Sequence, residues 1–450
     1  MRTEVRGRMD RFLRFKRGKT PLDAGRILNF LVRSCYRNIP VYRRLLDERR
    51  VLPQQIRSVA DLPHLPIVER EGLFRDGSVR DRVHARAKFA HCVRTSTSGS
   101  TGFPLSIYMS RGEALYRRLL LFSAWRRFGQ LPFPLRVADV GSWVGSGSGV
   151  EVKRRAGASV VRISIALPVE RQIELLVRHR PHVISGYPTA LEILADALGA
   201  QALHASPTAL SPRLVATRGE LLVEATRRSI ESAFGCRVSD FYNCEEVGNV
   251  AWECPRDPKT LHVNTDACIV EIVDSEGNPL PAGVEGQILV TNLYNCTMPF
   301  IRYALHDRGV LLPSGGGHCA CGSRSPRMSI LGGRDDDYLY LPSGQRVSPR
   351  LVATAVTRAF DPLAQERGVD RFFWKFQVVQ DAIDHLTIRI VPDADRTAAF
   401  DEILAPALRR LDPKLRCTVD LVDGLSYEPS GKFKKVIQAM PGWAAGRAPS

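Results

Sequence analysis

The sequence predicts an α/β protein: a large N-terminal domain with mainly parallel sheets plus a small antiparallel sheet, followed by a small mobile α+β C-terminal domain. Between residues 137 and 242, short β-type runs alternate with helical segments, which is typical of a parallel sheet. Residues 261–312 hold closely spaced β-type runs separated by glycine turns, which indicates antiparallel pairing. After Gly332-Gly333, strands and one helix form a further unit of about 100 residues.

Three segments of the chain follow from these patterns. We place the N-terminal domain at residues 1–332 and the C-terminal domain at 333–440. The last residues, 441–450, are rich in Gly, Ala and Pro, and we expect a disordered tail there.

Length and composition describe an ordinary globular protein. The chain has 450 residues, of which 44% are hydrophobic and 25% charged, enough for a large core and more than one domain. No run of eighteen apolar residues exists, so no membrane-spanning helix is expected. The segment from Met1 to Lys19 is basic and lacks the apolar stretch of a secretory signal, so we predict a cytoplasmic location.

The net charge of +17 favours anionic partners. Nucleotides, coenzyme A, anionic membranes and acidic proteins would all be attracted to such a surface. Nucleic acid is not predicted, because no stretch combines dense basic residues with stacking aromatics and no binding signature is present. The oligomeric state is left open, a dimer included.

The N-terminal elements are predicted from apolar spacing. Residues 22–49 read as two helices divided at Pro40. Residues 89–94 and 105–109 read as two strands of a hairpin, and residues 112–128 as a helix. We expect that helix to turn Leu115, Leu119, Leu120 and Phe122 inward.

The strands of the parallel region end at polar residues. Strands are predicted at 137–140, 182–185, 214–217 and 238–242, with helices between them. Gly219-Glu220 and Tyr242-Asn243 stand at or just past the carboxyl ends of two of these strands. Ligands of parallel sheets bind beyond such ends, so both pairs are candidate site residues.

A hydroxyl-rich stretch from Thr95 to Pro104 connects the hairpin strands. Its centre is Ser98, Gly99, Ser100, Thr101 and Gly102. Glycines let the backbone approach a ligand, and successive N–H groups with hydroxyls can bind an anion, so the stretch is a candidate phosphate loop. It is not a Walker A motif, since Phe103 follows the last glycine and no lysine is near. The other interpretation is a solvated surface loop.

Four further motifs follow this loop in a fixed order. They are Asp240-Phe-Tyr-Asn-Cys-Glu-Glu-Val-Gly248, Ile301-Arg-Tyr-Ala-Leu-His-Asp307, Gly333-Arg-Asp-Asp-Asp337 and Ser430-Gly-Lys432. With the loop, this order resembles the adenylate-forming superfamily of acyl-CoA synthetases and adenylation domains, and within it the phenylacetate–CoA ligase and capsule-biosynthesis branch. The resemblance implies that a carboxylate attacks the α-phosphate of ATP, giving acyl-adenylate and pyrophosphate. A thiol of coenzyme A or phosphopantetheine then takes the acyl group.

The resemblance also implies roles for residues of the hydroxyl-rich stretch, of the Gly219-Glu220 pair and of the 240–248 motif. Ser98 to Gly102 would hold the ATP phosphates, although Phe103 replaces a lysine that is usual in the family. Gly219 and Glu220 would line the adenine edge, with Tyr242 and Asn243 flanking the base. Glu246 would help to hold Mg²⁺. Glu245 stands where the family commonly has Ser or Thr, so the two carboxylates could share or exchange that role.

The remaining roles implied by the resemblance lie further along the chain. Asp307 would bind the ribose hydroxyls and Arg334 the nucleotide, with Asp336 as the hinge of a C-terminal lid. Lys432 would stabilise the charge on the α-phosphate, which a lysine can do without proton transfer. The other interpretation of Lys432 is a solvated basic tail, and that of Glu246 and Asp307 is surface carboxylates.

Three cysteines and one histidine form a separate candidate set. Cys254 and His262 are separated by a proline-containing turn, and Cys319 and Cys321 by one residue. A Cys₃His set suits structural zinc, although one intervening residue is shorter than the usual two to four. His318 is a competing ligand. The alternative is buried thiols beside an unrelated surface histidine.

The leading functional prediction is an ATP-dependent acid–thiol ligase acting on a small carboxylic acid. The acceptor is coenzyme A or an acidic acyl carrier protein, both of which suit a basic surface. A second interpretation has an amine or hydroxyl intercept the adenylate, giving an amide or ester. A third is a non-catalytic scaffold, which the substitution at Phe103 and the altered 301–307 run would permit.

Overall fold

The structure is a computed structural model of the 450-residue chain. It describes residues 23–74, 79–96, 105–142, 149–155, 158–202, 210–313, 319–334, 338–366, 373–392, 399–428 and 432–440. The chain divides into two compact units, each formed by two separate stretches of sequence. The first unit holds residues 1–128 and 241–330, and the second holds 129–240 and 331–450.

The described helices are numbered along the chain. They are α1 (Ala24–Asn38), α2 (Pro40–Glu48), α3 (Arg70–Phe74), α4 (Val79–Arg82), α5 (Arg111–Trp125), α6 (Val169–His179), α7 (Pro188–Ala202), α8 (Glu224–Phe234), α9 (Pro349–Ala359), α10 (Asp361–Glu366) and α11 (Phe400–Arg409). None of them is long and apolar enough to cross a membrane.

The described strands are numbered in the same way. They are β1 (Cys92–Ser96), β2 (Ser106–Ser110), β3 (Leu135–Gly141), β4 (Val150–Arg155), β5 (Ala158–Ser164), β6 (Val183–Gly186), β7 (Leu214–Arg218), β8 (Val238–Cys244), β9 (Gly248–Cys254), β10 (Asp257–Val263), β11 (Cys268–Val273), β12 (Glu285–Asn292), β13 (Tyr303–Leu311), β14 (Arg327–Arg334), β15 (Leu339–Tyr340), β16 (Arg346–Val347), β17 (Phe373–Ala382), β18 (His385–Pro392), β19 (Arg416–Leu421) and β20 (Val436–Gln438).

Helices and a hairpin open the first unit as the sequence predicts. The side chain of Asp23 caps α1, and Pro40 occupies the first turn of α2, where its missing N–H costs nothing. Strands β1 and β2 pair antiparallel from Cys92–Ser110 to Ser96–Ser106, which confirms the predicted hairpin. Ser110 ends β2 and starts α5 through a capping box with Glu113.

The face that α5 buries differs from the prediction at one position. Leu120 is buried as expected, but Leu115 is 38% exposed, so its inward placement was wrong. Ala114, Ala124 and Trp125 lie on the buried face instead. Helix α5 carries apolar side chains around much of its circumference, so spacing alone does not select the face that packs.

The rest of the first unit is antiparallel. Strands β11, β12, β13, β14, β10 and β9 follow one another in the sheet, and residues 241–244 of β8 pair with β9. Short turns connect several of these strands, so neighbours in sequence pair in space. The predicted antiparallel sheet at 261–312 is confirmed, and it also includes β9, β10 and β14.

The second unit holds the parallel part of the fold. Strands β5, β3, β6 and β7 run parallel in that order, and β4 joins antiparallel at the edge beside β5. We did not predict β4 and β5, although residues 150–154 alternate valine with charged residues and residues 158–164 are rich in β-branched side chains, both of which are signals of strands. The predicted class, a mainly parallel sheet with a small antiparallel sheet, is nevertheless confirmed.

The C-terminal part of the second unit is an α+β module. Strands lie in the order β19, β18, β17, β20, with β17 and β18 antiparallel and the outer pairs parallel. Helices α9 and α11 pack on this sheet around Val352, Leu404 and Ile388, all fully buried. We call residues 338–440 the C-terminal module. Whether the domains divide at residue 332 stays a prediction.

Candidate functional site

The turn after β7 carries the first predicted pair, Gly219 and Glu220. Gly219 has a φ of +77°, a conformation that residues with a Cβ rarely adopt. A Cβ here would stand 3.3 Å from Cε1 of Tyr187 and 3.5 Å from Cε of Lys432. The side-chain stem of Lys432 therefore passes directly over Gly219, and glycine leaves room for it.

Glu220 is buried and accepts hydrogen bonds at both carboxylate oxygens. Oε2 accepts from the backbone N–H of Thr189 at 3.1 Å and from its hydroxyl at 2.6 Å. Oε1 accepts from the backbone N–H of Phe433 at 2.8 Å. Burial raises the pKa of Glu220, while these donors and the charge of Lys435 act in the opposite direction. Since its side chain is occupied, a contribution to an adenine site would have to come from its backbone.

Two further lysines of the C-terminal module are buried. Lys375 is 6% exposed and Lys435 7% exposed. The ammonium of Lys375 contacts the hydroxyl of Tyr427 and lies 4.8 Å from the centre of its ring. Lys435 lies 5.4 Å from the ring of Phe376. Aromatic faces stabilise ammonium groups that have lost water.

A polar cluster at the carboxyl ends of three parallel strands was not predicted. Arg218, at the end of β7, donates to Ser185 of β6 at 2.9 Å and to Asp139 of β3 at 2.5 Å. Its guanidinium also lies 5.7 Å from the centre of the Tyr187 ring. The signal was available, because each of these residues falls at the end of a strand that the sequence predicts.

In the first unit the structure joins Tyr242 and Asp307. The hydroxyl of Tyr242, on β8, donates to Oδ2 of Asp307, on β13, at 2.5 Å. Residues 242 and 307 are far apart in sequence, so the sheet places the two predicted side chains together. Asn243 accepts a hydrogen bond from Asn249 of β9 at 2.9 Å, which closes the β8–β9 turn.

Glu245 and Glu246 are neighbours with different surroundings. Glu245 is an exposed side chain that forms an ion pair with Arg117 at 3.0 Å. Glu246 is buried and accepts from the hydroxyl of Tyr303 at 3.2 Å. Both lie in the turn between β8 and β9, after which Gly248 has a φ of +85° and the side chain of Arg117 packs against it. Of the two carboxylates, Glu246 is the one in a protected site.

The cysteine–histidine set forms one cluster in the first unit. Ligand atoms of Cys254, His262, Cys319 and Cys321 all lie within 4.8 Å of one another. The Sγ atoms of Cys254 and Cys319 are 3.6 Å apart, and Sγ of Cys321 is 3.2 Å from Nε2 of His262. With metal–ligand bonds of about 2.0–2.3 Å, a tetrahedral Cys₃His site has ligand–ligand edges of about 3.5–3.8 Å. The observed spacing therefore fits such a site.

The surroundings of His262 also suit a metal ligand. His262 is fully buried, stacked on Trp252 with ring centres 4.6 Å apart. Its Nδ1 lies 3.3 Å from the carbonyl oxygen of Ser325, which leaves Nε2 to face the thiols. Burial lowers the pKa of His262, which keeps the imidazole neutral and able to bind a cation. The alternative of an unrelated surface histidine does not describe this residue.

The other predicted site residues fall outside what the structure describes. Ser98, Gly99, Ser100, Thr101 and Gly102 lie outside the described residues, as does Asp336. Arg334 ends β14, and its side chain is likewise outside the described part. Their roles stay predictions.

Comparison with known proteins identifies the family. The pattern of the AMP-binding enzyme family matches residues 58–297, more than half of the chain. The chain belongs to this family. A CapK C-terminal domain pattern matches residues 341–439 of the same AMP-binding enzyme, which coincides with the C-terminal module.

Curated relatives place this AMP-binding enzyme in one branch of the family. It is 30% identical to a phenylacetate–coenzyme A ligase of Thermus thermophilus over 72% of each chain. It is 28% identical to the Escherichia coli protein of the same name, over 70% of this chain and 71% of that one. Protein CapK of Staphylococcus aureus is 23% identical over 59% and 54%. The predicted phenylacetate–CoA ligase and capsule-biosynthesis branch of adenylate-forming enzymes is therefore confirmed.

Solved structures agree in fold. A 2-hydroxyisobutyryl-CoA ligase in its postadenylation state superposes with a TM-score of 0.74 at 20% identity, covering 92% of this chain and 88% of that one. The same ligase in its thioesterification state gives 0.59 at 21% identity, covering 93% and 89%.

Proposed function

We propose that this enzyme joins a small carboxylic acid to ATP, releases pyrophosphate, and passes the acyl group from the adenylate to the thiol of coenzyme A. One observation supports the proposal beyond family membership: Cε of Lys432 lies beside Gly219, and the backbone N–H of the next residue, Phe433, donates to buried Glu220. A solvated basic tail would have no such contacts.

Each group of residues takes one part of the first step in this proposal. The carboxylate oxygen of the acid attacks the α-phosphorus, and the bond to the pyrophosphate oxygen breaks. The ammonium of Lys432 stabilises the negative charge on the α-phosphate oxygens as that exchange occurs. Asp307, held by Tyr242, accepts hydrogen bonds from the ribose hydroxyls. The 98–102 stretch binds the remaining phosphates, Arg334 contacts the nucleotide, and Asp336 is the hinge.

Glu246 is the proposed residue for Mg²⁺. A carboxylate oxygen is the ligand type that Mg²⁺ prefers, and Glu246 is kept in place by Tyr303 and by the turn between β8 and β9. Mg²⁺, when bound, neutralises phosphate charge. Because Glu245 is paired with Arg117 at the surface, we assign the metal role to Glu246 alone.

Cys254, His262, Cys319 and Cys321 are the proposed ligands of a structural zinc ion. Four protein ligands leave no open coordination position, so this ion would stabilise the fold and take no part in the reaction. Metal analysis of protein purified without chelator tests the assignment. We expect about one zinc per chain, and protein without bound metal would contradict it.

One experiment tests both the acid substrate and the catalytic role of Lys432. ATP–pyrophosphate exchange is measured over a panel of aryl, hydroxylated and short-chain carboxylic acids that includes phenylacetate. We expect exchange with at least one acid, and a loss of about 10²–10³-fold in Lys432→Ala. No exchange with any acid would favour the scaffold interpretation, and unchanged exchange in Lys432→Ala would remove the proposed catalytic role.

The acceptor is distinguished by transfer from the adenylate. Coenzyme A, an acyl carrier protein, an amine and an alcohol are offered to the enzyme with the acid found by exchange. We expect the thioester of coenzyme A, with a rate that falls as salt screens the basic surface. Formation of an amide or ester instead would replace the thiol in this proposal.

A further inference from the structure

Glu220 connects two parts of the second unit that are distant in sequence. One carboxylate oxygen accepts from Thr189, at the start of α7, and the other from the backbone N–H of Phe433. Phe433 follows Lys432 directly. The carboxylate therefore fixes the main chain one residue from the ammonium-bearing side chain.

The main chain around Lys432 forms its other hydrogen bonds within the C-terminal module. Its carbonyl oxygen accepts from the N–H of Glu428 at 2.9 Å, which closes a turn within the module itself. Gln377 donates to the carbonyl of Lys434 at 3.0 Å, again within the module. Among the backbone hydrogen bonds that residues 432–435 form with the described part of the chain, the one to Glu220 reaches outside the module. With the packing of Leu221 and Val223 into the apolar cluster of the module, this hydrogen bond fixes the main chain beside Lys432 relative to β7.

The charges around this contact suit a reversible interaction. Glu192, in α7, is 4% exposed, and Glu220 follows β7. Both carboxylates attract the ammonium group of Lys375 in the C-terminal module. Lys435 of the module acts on Glu220. Each buried charge costs several kcal/mol of lost hydration, which its partner offsets only in good geometry. When such groups separate they regain water, so their contact can be broken without a large net cost.

We propose that Glu220 is a positioning residue, whose carboxylate holds the backbone of Phe433 so that Lys432 faces the reacting phosphate during acyl-adenylate formation. This inference rests on the proposed function. Glu220 itself touches no reacting atom. It acts through Lys432, and its loss should affect the first half-reaction through that lysine.

The test combines a kinetic and a structural measurement on the full chain. Glu220→Gln keeps the shape but removes the charge, and Thr189→Val removes a donor from the same carboxylate while leaving the Phe433 contact. Charge-assisted hydrogen bonds are the stronger ones, so we expect Glu220→Gln to slow pyrophosphate exchange about 10- to 100-fold with little change in KM for ATP. Thr189→Val should slow it less than about threefold. Equal losses in the two variants would overturn the proposal.

A double-mutant cycle separates positioning from general stability. If Glu220 acts through Lys432, adding Glu220→Gln to Lys432→Ala should lower the residual exchange by less than about twofold. A further loss as large as that in the single variant would show that Glu220 works independently of Lys432, and the proposal would fail.

Amide hydrogen exchange tests the contact without any acid substrate. In Glu220→Gln, the peptide containing Phe433 should exchange at least about tenfold faster than in the unmodified enzyme, while a peptide within β18 keeps its protection. Unchanged protection at Phe433 would overturn the proposal whatever the acid. Absence of pyrophosphate exchange in the unmodified enzyme, with this protection pattern intact, would instead remove the proposed function.

Discussion

The cysteine–histidine cluster and the surroundings of Glu220 are both buried polar sites, but they use different groups. The first gathers three thiols and a neutral imidazole from β9, β10 and the segment before β14, within one unit. The second gathers two carboxylates and two ammonium groups from chain segments about 200 residues apart. Thiolate and imidazole ligands form persistent coordination bonds to a metal, whereas the attraction between a buried carboxylate and an ammonium group is offset by their lost hydration. The cysteine–histidine cluster therefore suits a permanent structural site, and the charge cluster around Glu220 suits a contact that can separate and form again.

The largest expected effect comes from removing a ligand of the cluster. Cys321→Ser should lower Tm by about 10 °C or more, because a structural zinc site contributes several kcal/mol to folding. Cys236→Ser is the matched control, since Cys236 is partly buried but lies in the second unit, away from the cluster. Calorimetry measures the change in Tm of both variants. Equal small shifts would mean that the four residues hold no metal.

A smaller effect is expected when one charge is removed near Glu220. Lys375→Met should destabilise the protein by about 3 kcal/mol, since it leaves the carboxylates of Glu192 and Glu220 with less compensation. The double variant Glu192→Gln with Lys375→Met should recover part of that loss, because both members of a buried pair are then neutral. Urea unfolding of the three proteins measures this. A double variant that is as unstable as the sum of its parts would argue against a coupled charge cluster.

The charge cluster around Glu220 and Lys375 should also respond to alkaline pH. Burial lowers the pKa of Lys375 from 10.5 to about 8, the positive charge of Lys435 acts in the same direction, and the carboxylates of Glu192, Glu220 and Asp196 oppose it. The folded protein then binds fewer protons at this group than the unfolded chain does. The contribution of Lys375 to the free energy of unfolding therefore rises with pH between about 8 and 10.5.

Comparison with Lys375→Met isolates this dependence. The Tm of the unmodified enzyme minus that of the variant should increase from pH 8 to pH 10 and stay level below pH 7. A difference that falls over the alkaline range would contradict the direction.

Much of the fold could be predicted because its signals are local. The alternation of strands and helices, the hairpin of β1 and β2, and the proline that divides α1 from α2 all depend on residues a few positions apart. Strands β4 and β5 were missed although alternation in β4 and β-branched residues in β5 are local signals of strands. The face of α5 was assigned incorrectly at Leu115, since apolar residues surround that helix and packing chooses among them.

The candidate site divides in the same way. The order of the motifs predicts Lys432, Asp307 and Glu246 as site residues, and the spacing of cysteines and a histidine predicts the candidate metal ligands. The strand ends that carry Asp139, Ser185 and Arg218 could be predicted, but the hydrogen bonds among these side chains depend on the order of β3, β6 and β7 in the sheet. Motif order could not separate Glu245 from Glu246, whose different surroundings depend on Arg117 and Tyr303 from other elements.

The amino-acid sequence by itself determined the family, the alternating architecture and the identity of the chemical groups, since these are properties of neighbouring residues and of motif order. Tertiary structure alone decided how those groups are used. The carboxylate of Glu220 lies on the N–H of Phe433, more than 200 positions away, because the sheet and the C-terminal module meet at the end of β7. Burial and hydrogen bonding between distant segments leave no local pattern, so that contact could be found only in three dimensions.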